Sequence, residues 1–301
     1  MPAFAAGSHA APPLMTLDWR VNSTTTSEHA AEVRAGRRFE FGANWTRFLS
    51  SLNDDRIAEA ERSLQRWLGA DRMDGVSFLD VGSGSGLFSL AARRLGATVT
   101  SFDYDPQSLA CTDELRRRFF PEDPRWRTLP GSVLSPTFMA SLGTFDVVYS
   151  WGVLHHTGQM WTAIDQAQRC VRPGGHFFIA LYNDQGKLSA FWNVVKRVYC
   201  SSTIGRGLII GTFIPLFAGI NLAADMKNRR NPAAVYRTYV KRRGMSMIHD
   251  WVDWLGGYPF EVAGPGEVHT FLQGRGFSLE RLFTTPSLGC NEFLFVRSDG
   301  A

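Results

Sequence analysis

Val76-Ser77-Phe78-Leu79-Asp80-Val81-Gly82-Ser83-Gly84-Ser85-Gly86 runs directly into Leu87-Phe88-Ser89-Leu90-Ala91-Ala92-Arg93-Arg94-Leu95, which Gly96 stops. The apolar run over 76–81 predicts a buried strand and the second block a helix. Three glycines at alternate positions join them, and without Cβ atoms the backbone can approach a ligand closely. The turn opens a helix, whose first N–H groups have no partner within the helix. In an open α/β sheet, ligands gather at such a strand end.

The same rhythm extends outward. A second strand spans 98–102, followed by a helix over 105–120 with Asp105 as N-cap and Pro106 in its first turn. A strand over 145–149, a helix over 160–171 ended by Pro173-Gly174-Gly175 and a strand over 176–181 continue it. Near-continuous apolar strands alternating with helices predict a doubly wound, mostly parallel α/β sheet covered on both faces. Upstream, Ile57, Ala60, Leu64, Trp67 and Leu68 recur at helical spacing. After Asn183 the rhythm breaks for about 80 residues, then resumes with a helix over 267–273 and strands over 278–283 and 291–297. The expected organisation is a loose tail (1–26), a helical cap (27–75), a ligand-binding core (76–183), a helical lid (184–265) and a stretch completing the sheet (266–301).

The 301 residues include 32 Lys+Arg and 28 Asp+Glu, and 44% are apolar, which excludes wholesale disorder and fibrous architectures. A net charge of +4 is too small to argue for nucleic acid. Cys111, Cys170, Cys200 and Cys290 are far apart, so neither a disulfide framework nor a zinc site is expected, and a reducing cytoplasm fits. The N-terminal stretch lacks the basic start and long apolar run of a secretory signal. Residues 207–224 carry no charge, with Arg206 before them and Lys227, Arg229 and Arg230 after. Three readings stand open: a membrane span, a lid touching lipid, and a buried lid helix, which the surrounding pattern favours. Gly211, Pro215 and Gly219 read as interruptions.

The glycine turn is G-x-G-x-G; a dinucleotide fingerprint would need glycine at 87, where Leu87 stands. Asp80 before the turn would repel a pyrophosphate and suits a cation. Asp103 ends the second strand, where a carboxylate can accept both hydroxyls of a ribose. Together they suit a positively charged, phosphate-free nucleoside. The segments FLDVGSGSG, SFDYD, FDVVYSWGVLHHTG and VRPGGHFFIAL, in this order over about 74–183, resemble the class I S-adenosylmethionine-dependent methyltransferases. The nearest branch is similar to the small-molecule enzymes of quinone biosynthesis. The resemblance implies a seven-stranded Rossmann-like sheet with S-adenosylmethionine as cofactor. Gly82, Ser83, Gly84 and Gly86 would line its methionine part and Asp80 would hold its amino group. Asp103 would take the ribose, Tyr104 would lie against the adenine, and Ser132 and Val133 would edge the base. Ser150 and Trp151 would contact the methionyl end.

Methyl transfer needs alignment and exclusion of water, with a base only where the acceptor holds its proton tightly. His155 and His156 are candidates for that base, with loop support as the alternative, and Asp184 is a candidate for orienting the acceptor. The lid residues His249, Asp250, Trp251, Trp254 and Glu261 suit either an acceptor pocket or a core. Trp45 and Arg47 suit an N-terminal cover. The expected partner is a small acceptor, lipophilic or aromatic and methylated at oxygen, with nitrogen and carbon open. The expected place is the cytoplasm, with membrane contact if 207–224 touches lipid. Rivals are an RNA methyltransferase, a nicotinamide oxidoreductase and a cofactor-binding scaffold without turnover.

Overall fold

Strand β1 (Ser77–Val81) pairs in parallel with β2 (Thr98–Asp103) on one side and with β4 (Phe145–Trp151) on the other. Beyond β2 lies β3 (Trp126–Pro130), and beyond β4 lies β5 (Val171–Tyr182). Strand β7 (Cys290–Arg297) runs antiparallel to β5, and β6 (Phe277–Phe283) closes the far edge. The order β3-β2-β1-β4-β5-β7-β6 reverses direction between β1 and β4. That reversal opens a crevice above the strand ends, beside the glycine turn. The structure, a computed structural model, describes residues 19–232, 235 and 247–299.

Phe78, Leu79 and Val81 are all fully buried, because β1 is covered on both faces. Helices α1 (Trp19–Arg34), α2 (Gly42–Leu49) and α3 (Asp54–Leu68) precede the sheet. Residues 19–26, expected as the end of a tail, are helical, and 1–18 lie outside the described residues. Helix α3 starts where the Asn53 side chain accepts the Arg56 N–H and stops at left-handed Gly69. It packs Ile57, Ala60, Leu64 and Leu68 against the sheet face shared with α4 (Leu87–Arg94) and α5 (Pro106–Phe119). The opposite face is covered by α6 (Pro136–Leu142) and α7 (Met160–Arg169).

The insertion after β5 builds α8 (Lys187–Ser201), α9 (Thr203–Lys227) and α10 (Met247–Gly256). Then α11 (Pro265–Gln273) returns to the second face. Trp192, Val195, Tyr199, Ile209, Leu255 and Phe260 form a separate small core in the insertion. The reading of 207–224 as a buried lid helix is overturned: α9 runs unbroken through Gly211, Pro215 and Gly219, and only 6% of its apolar window is buried. The basic stretch Lys241-Arg242-Arg243 lies outside the described residues.

Candidate functional site

The glycine turn is tied to β2 because the N–H groups of Gly82 and Ser83 both donate to the Phe102 carbonyl at 3.0 Å. Gly82 has φ +76°, and a Cβ there would lie 2.3 Å from Cγ1 of Val153, in the loop after β4. Gly84 has φ +55°, and a Cβ there would meet the indole of Trp45 on α2 at 3.1 Å. Only glycine suits these two positions, between the loop after β4 and the N-terminal helices. Trp45 thus stands over the turn, while the side chain of Arg47 lies outside the described residues. Ser83 faces away, pairing its hydroxyl with that of Thr112 at 2.8 Å.

Asp80 and Asp103 flank the turn. Buried Asp80 accepts the Ser89 hydroxyl at 2.5 Å. With that proton spent, Ser89 accepts from Ser101 at 2.7 Å, and Ser101 accepts from the Trp126 indole at 3.0 Å. Three donors in series point at one carboxylate and polarise one another. Even so, burial pushes the Asp80 carboxyl up to about 7. Half-buried Asp103 accepts the Gly84 N–H on Oδ2 at 2.8 Å and the Asp105 N–H on Oδ1 at 2.9 Å. Burial pushes it up to about 7 as well. Each of its oxygens has spent one lone pair and keeps another, the capacity a ribose diol requires.

The N-terminal helices close onto the same edge. The Tyr104 ring meets His29 edge-on at 5.3 Å and carries the Arg38 guanidinium at 5.0 Å. Its hydroxyl is pushed up to about 12 by burial. Arg38 also donates to the His156 carbonyl at 2.9 Å, and Asp105 accepts the Gly42 N–H at 2.7 Å. Ser132 caps its own turn by accepting the Leu134 N–H at 3.2 Å, and the Val133 side chain enters the core. Ser150 is buried and donates to the Val81 carbonyl at 3.0 Å, locking β4 to β1.

Beyond the turn, a cavity of about 530 Å³ opens at the ends of β4, β5 and β7. Trp151, Gly152, His155 and Tyr182 line one side, and Trp254 comes from α10. Residues 287–290 and Glu292 of the β6–β7 hairpin complete it. The hairpin is clamped by Asn291, which donates to the Asn183 side chain at 3.0 Å and accepts the Thr285 N–H at 3.1 Å. Asn183 in turn donates to the Thr285 carbonyl at 2.7 Å. The Trp151 indole donates to Glu292 at 3.1 Å.

His155 is buried, and its Nδ1 accepts the Tyr182 N–H at 3.3 Å, which leaves the ring proton on Nε2. That Nε2 is buried with no protein partner among the described residues. Burial, His156 and Lys196 keep the imidazole neutral, well below its ordinary value. His156 is oriented oppositely: its neutral ring donates from Nδ1 to the Pro259 carbonyl at 2.6 Å, and burial pushes it down to about 3. His156 is absent from the cavity wall, as is exposed Asp184, which accepts the Gly186 N–H at 2.8 Å in the turn into α8. Trp251 packs on Phe217, and the side chains of His249 and Asp250 lie outside the described residues.

Glu261 does not reach the cavity. Both its oxygens accept the Met160 N–H, at 3.1 and 3.0 Å, so it caps α7 across 101 residues of sequence. Glu261→Ala is expected to cost about 1–2 kcal/mol, the worth of a cap. A thermal melt should show a midpoint lower by roughly 2–3 °C, with Glu261→Gln near the parent; an unchanged midpoint in the alanine variant would mean that Glu261 does not cap α7.

Sequence reading missed Ser89, Ser101, His29, Arg38, Lys196 and the hairpin wall. Of these, only Ser89 carried a local signal, lying one helical turn past the glycines where a buried Asp80 needs a donor.

The family model described as "Methyltransferase domain" matches residues 79–179. The ubiquinone biosynthesis O-methyltransferase of Methylobacterium nodulans is 31% identical over 173 residues, 54% of this chain and 67% of that one. The enzyme of the same name from Methylobacterium sp. (strain 4-46) is 30% identical over 165 residues, 50% of this chain and 64% of that one. The aligned part therefore spans about two thirds of these relatives' length. Magnesium protoporphyrin IX methyltransferase from Synechocystis PCC 6803, with bound S-adenosylhomocysteine, shares the fold at a TM-score of 0.50 and 15% identity, over 85% of this chain and 95% of that one. With the glycine turn, two flanking carboxylates and this sheet order, the chain belongs to the class I S-adenosylmethionine-dependent methyltransferases.

Proposed function

We propose that this chain moves a methyl group from S-adenosylmethionine to the oxygen of a small lipophilic or aromatic acceptor held in the 530 Å³ cavity. The observation that carries this reading is the position of that cavity. Its floor, Trp151 and Gly152, leads directly into Val153, which packs on Gly82 of the cofactor turn. Aromatic walls from Trp151, Tyr182 and Trp254 suit a flat apolar acceptor. The names of the relatives support oxygen as the receiving atom.

The residues of the turn fit the cofactor. Asp103 has lone pairs for the ribose, the glycines leave the approach open, and buried Asp80 answers a positive charge. When bound, the sulfonium supplies an already activated methyl group. The protein's part is then to align the acceptor oxygen, exclude water and favour that oxygen's ionised form, the acceptor's proton having left to solvent before transfer. We assign the last task to His155, whose Nε2–H donates to an acceptor oxygen and favours its ionised form. This differs from a general base, because the lone pair of the ring is already given to the Tyr182 N–H. The low value of His156 also makes it a poor base.

The test is methyl transfer from S-adenosylmethionine with a labelled methyl group to alkylated phenols and catechols, with amines and carbon acids alongside. Label on phenolic oxygen is expected; label confined to nitrogen or carbon, or none at all, overturns the proposal. His155→Ala should slow transfer about tenfold, one hydrogen bond to a charged oxygen, at unchanged S-adenosylhomocysteine affinity. A variant as fast as the parent would remove His155 from the reaction.

A further inference from the structure

Helix α9 leaves a broad apolar surface in water. Ile204, Leu208, Leu216 and Ile220 recur at multiples of four residues and are 85%, 64%, 48% and 57% exposed. Leu222 and Met226 continue the exposed surface. On the inner side, Phe213 and Phe217 pack on Trp192 of α8, so α9 is apolar on both faces and only the inner one is covered. Phe191 and Val194 of α8 extend the uncovered patch. Apolar surface of this kind marks an interaction site.

Charge identifies what it meets. Apart from the buried Lys196, residues 187–230 hold six Lys or Arg and one acidic residue, Asp225, whereas the rest of the chain holds 25 basic and 27 acidic residues. The positive charge of the molecule is therefore concentrated in the helices that expose the apolar patch. Arg206 lies near one end of α9, and Lys227, Arg229 and Arg230 lie at the other. An apolar helix with cationic ends matches the acyl boundary and anionic headgroups of a bilayer surface. A span does not fit. Helix α9 starts beside α8, and α10 packs back on α8, so the chain would have to recross the bilayer from the cluster Lys227, Arg229 and Arg230.

We propose that α9, with the outer face of α8, docks this protein on the surface of an anionic membrane, the helix lying in the interface plane. The proposal is independent of the acceptor reading, since docking is measured without cofactor or acceptor. The full chain is sedimented with vesicles of phosphatidylcholine alone and of phosphatidylcholine with phosphatidylglycerol, at low and high salt, and its oligomeric state is measured in parallel. Binding to the anionic vesicles is expected, at least tenfold weaker without phosphatidylglycerol and weaker in salt. The double variant Leu208→Glu/Ile220→Glu, altered only at exposed positions, should lose at least tenfold in vesicle binding while still binding S-adenosylhomocysteine. A chain that stays in the supernatant overturns the proposal. So does binding that the double variant retains, or a dimer that the double variant dissolves.

Discussion

Asp103→Ala is expected to weaken S-adenosylhomocysteine binding about 100-fold. The carboxylate ends β2, with one backbone N–H on each oxygen and one lone pair left on each. Hydrogen bonds to an ionised partner are worth about 1.5–3 kcal/mol each. Losing a ribose pair, with some overlap between the two bonds, gives about 3 kcal/mol, or two factors of ten. Proton linkage supplies a second signature. Burial pushes Asp103 up to about 7, and hydroxyl donors bind its ionised form. Affinity should therefore rise as pH climbs through about 7 and level off above. Asp80, also near 7, shares that step, so Asp103→Asn should shrink it without abolishing it. The asparagine variant keeps an acceptor for the turn, which separates loss of the ribose contact from loss of the loop. Calorimetry over this pH range is the measurement, and a folded Asp103→Ala variant with parental affinity would sink the ribose assignment.

What was legible in the sequence was local. The glycine turn, Asp103 and the N-cap Asp105 are specified by their own neighbours, and the structure places all three at one sheet edge. The cavity is not local: Asn183, Thr285 and Asn291 clamp its hairpin across more than 100 residues, and nothing near Asn183 announces that partnership. Helix α9 was misread for a different reason. An apolar run states a need for cover without naming it, and among the described residues only its inner side finds cover within this chain. Pro215 removes one backbone donor, which a 25-residue helix tolerates when the rest of its ladder stands. Lys196 shows the converse. Trp192, Val195, Lys196 and Tyr199 share one helical stripe, so the spacing placed an amine inside even though its charge suggested a surface.

Lys196→Met is expected to stabilise the protein by about 3 kcal/mol at pH 7. The amine is fully buried in the lid and donates to the Trp254 carbonyl, with the Trp254 and Phe260 rings at 4.3 and 5.0 Å. Those rings favour the ammonium, yet desolvation wins and pushes the group down to about 7. The unfolded chain, with an ordinary amine near 10.5, then holds more protons than the folded one between these values. Parent stability must therefore rise as pH climbs from about 7 toward 10.5, and below 7 the penalty is fully present. At pH 7 the penalty is about 4–5 kcal/mol, from which the lost bond to the Trp254 carbonyl subtracts about 1–2. Methionine fills similar space without charge, in line with the gain of about 1–4 kcal/mol seen when buried ionic groups become apolar. The melting midpoint should rise by roughly 5 °C at pH 7, and the gap to the parent should narrow toward pH 10. A gap independent of pH would show that the amine carries no burial penalty. A variant less stable than the parent at every pH would mean that its contacts with Trp254 and Phe260 outweigh desolvation.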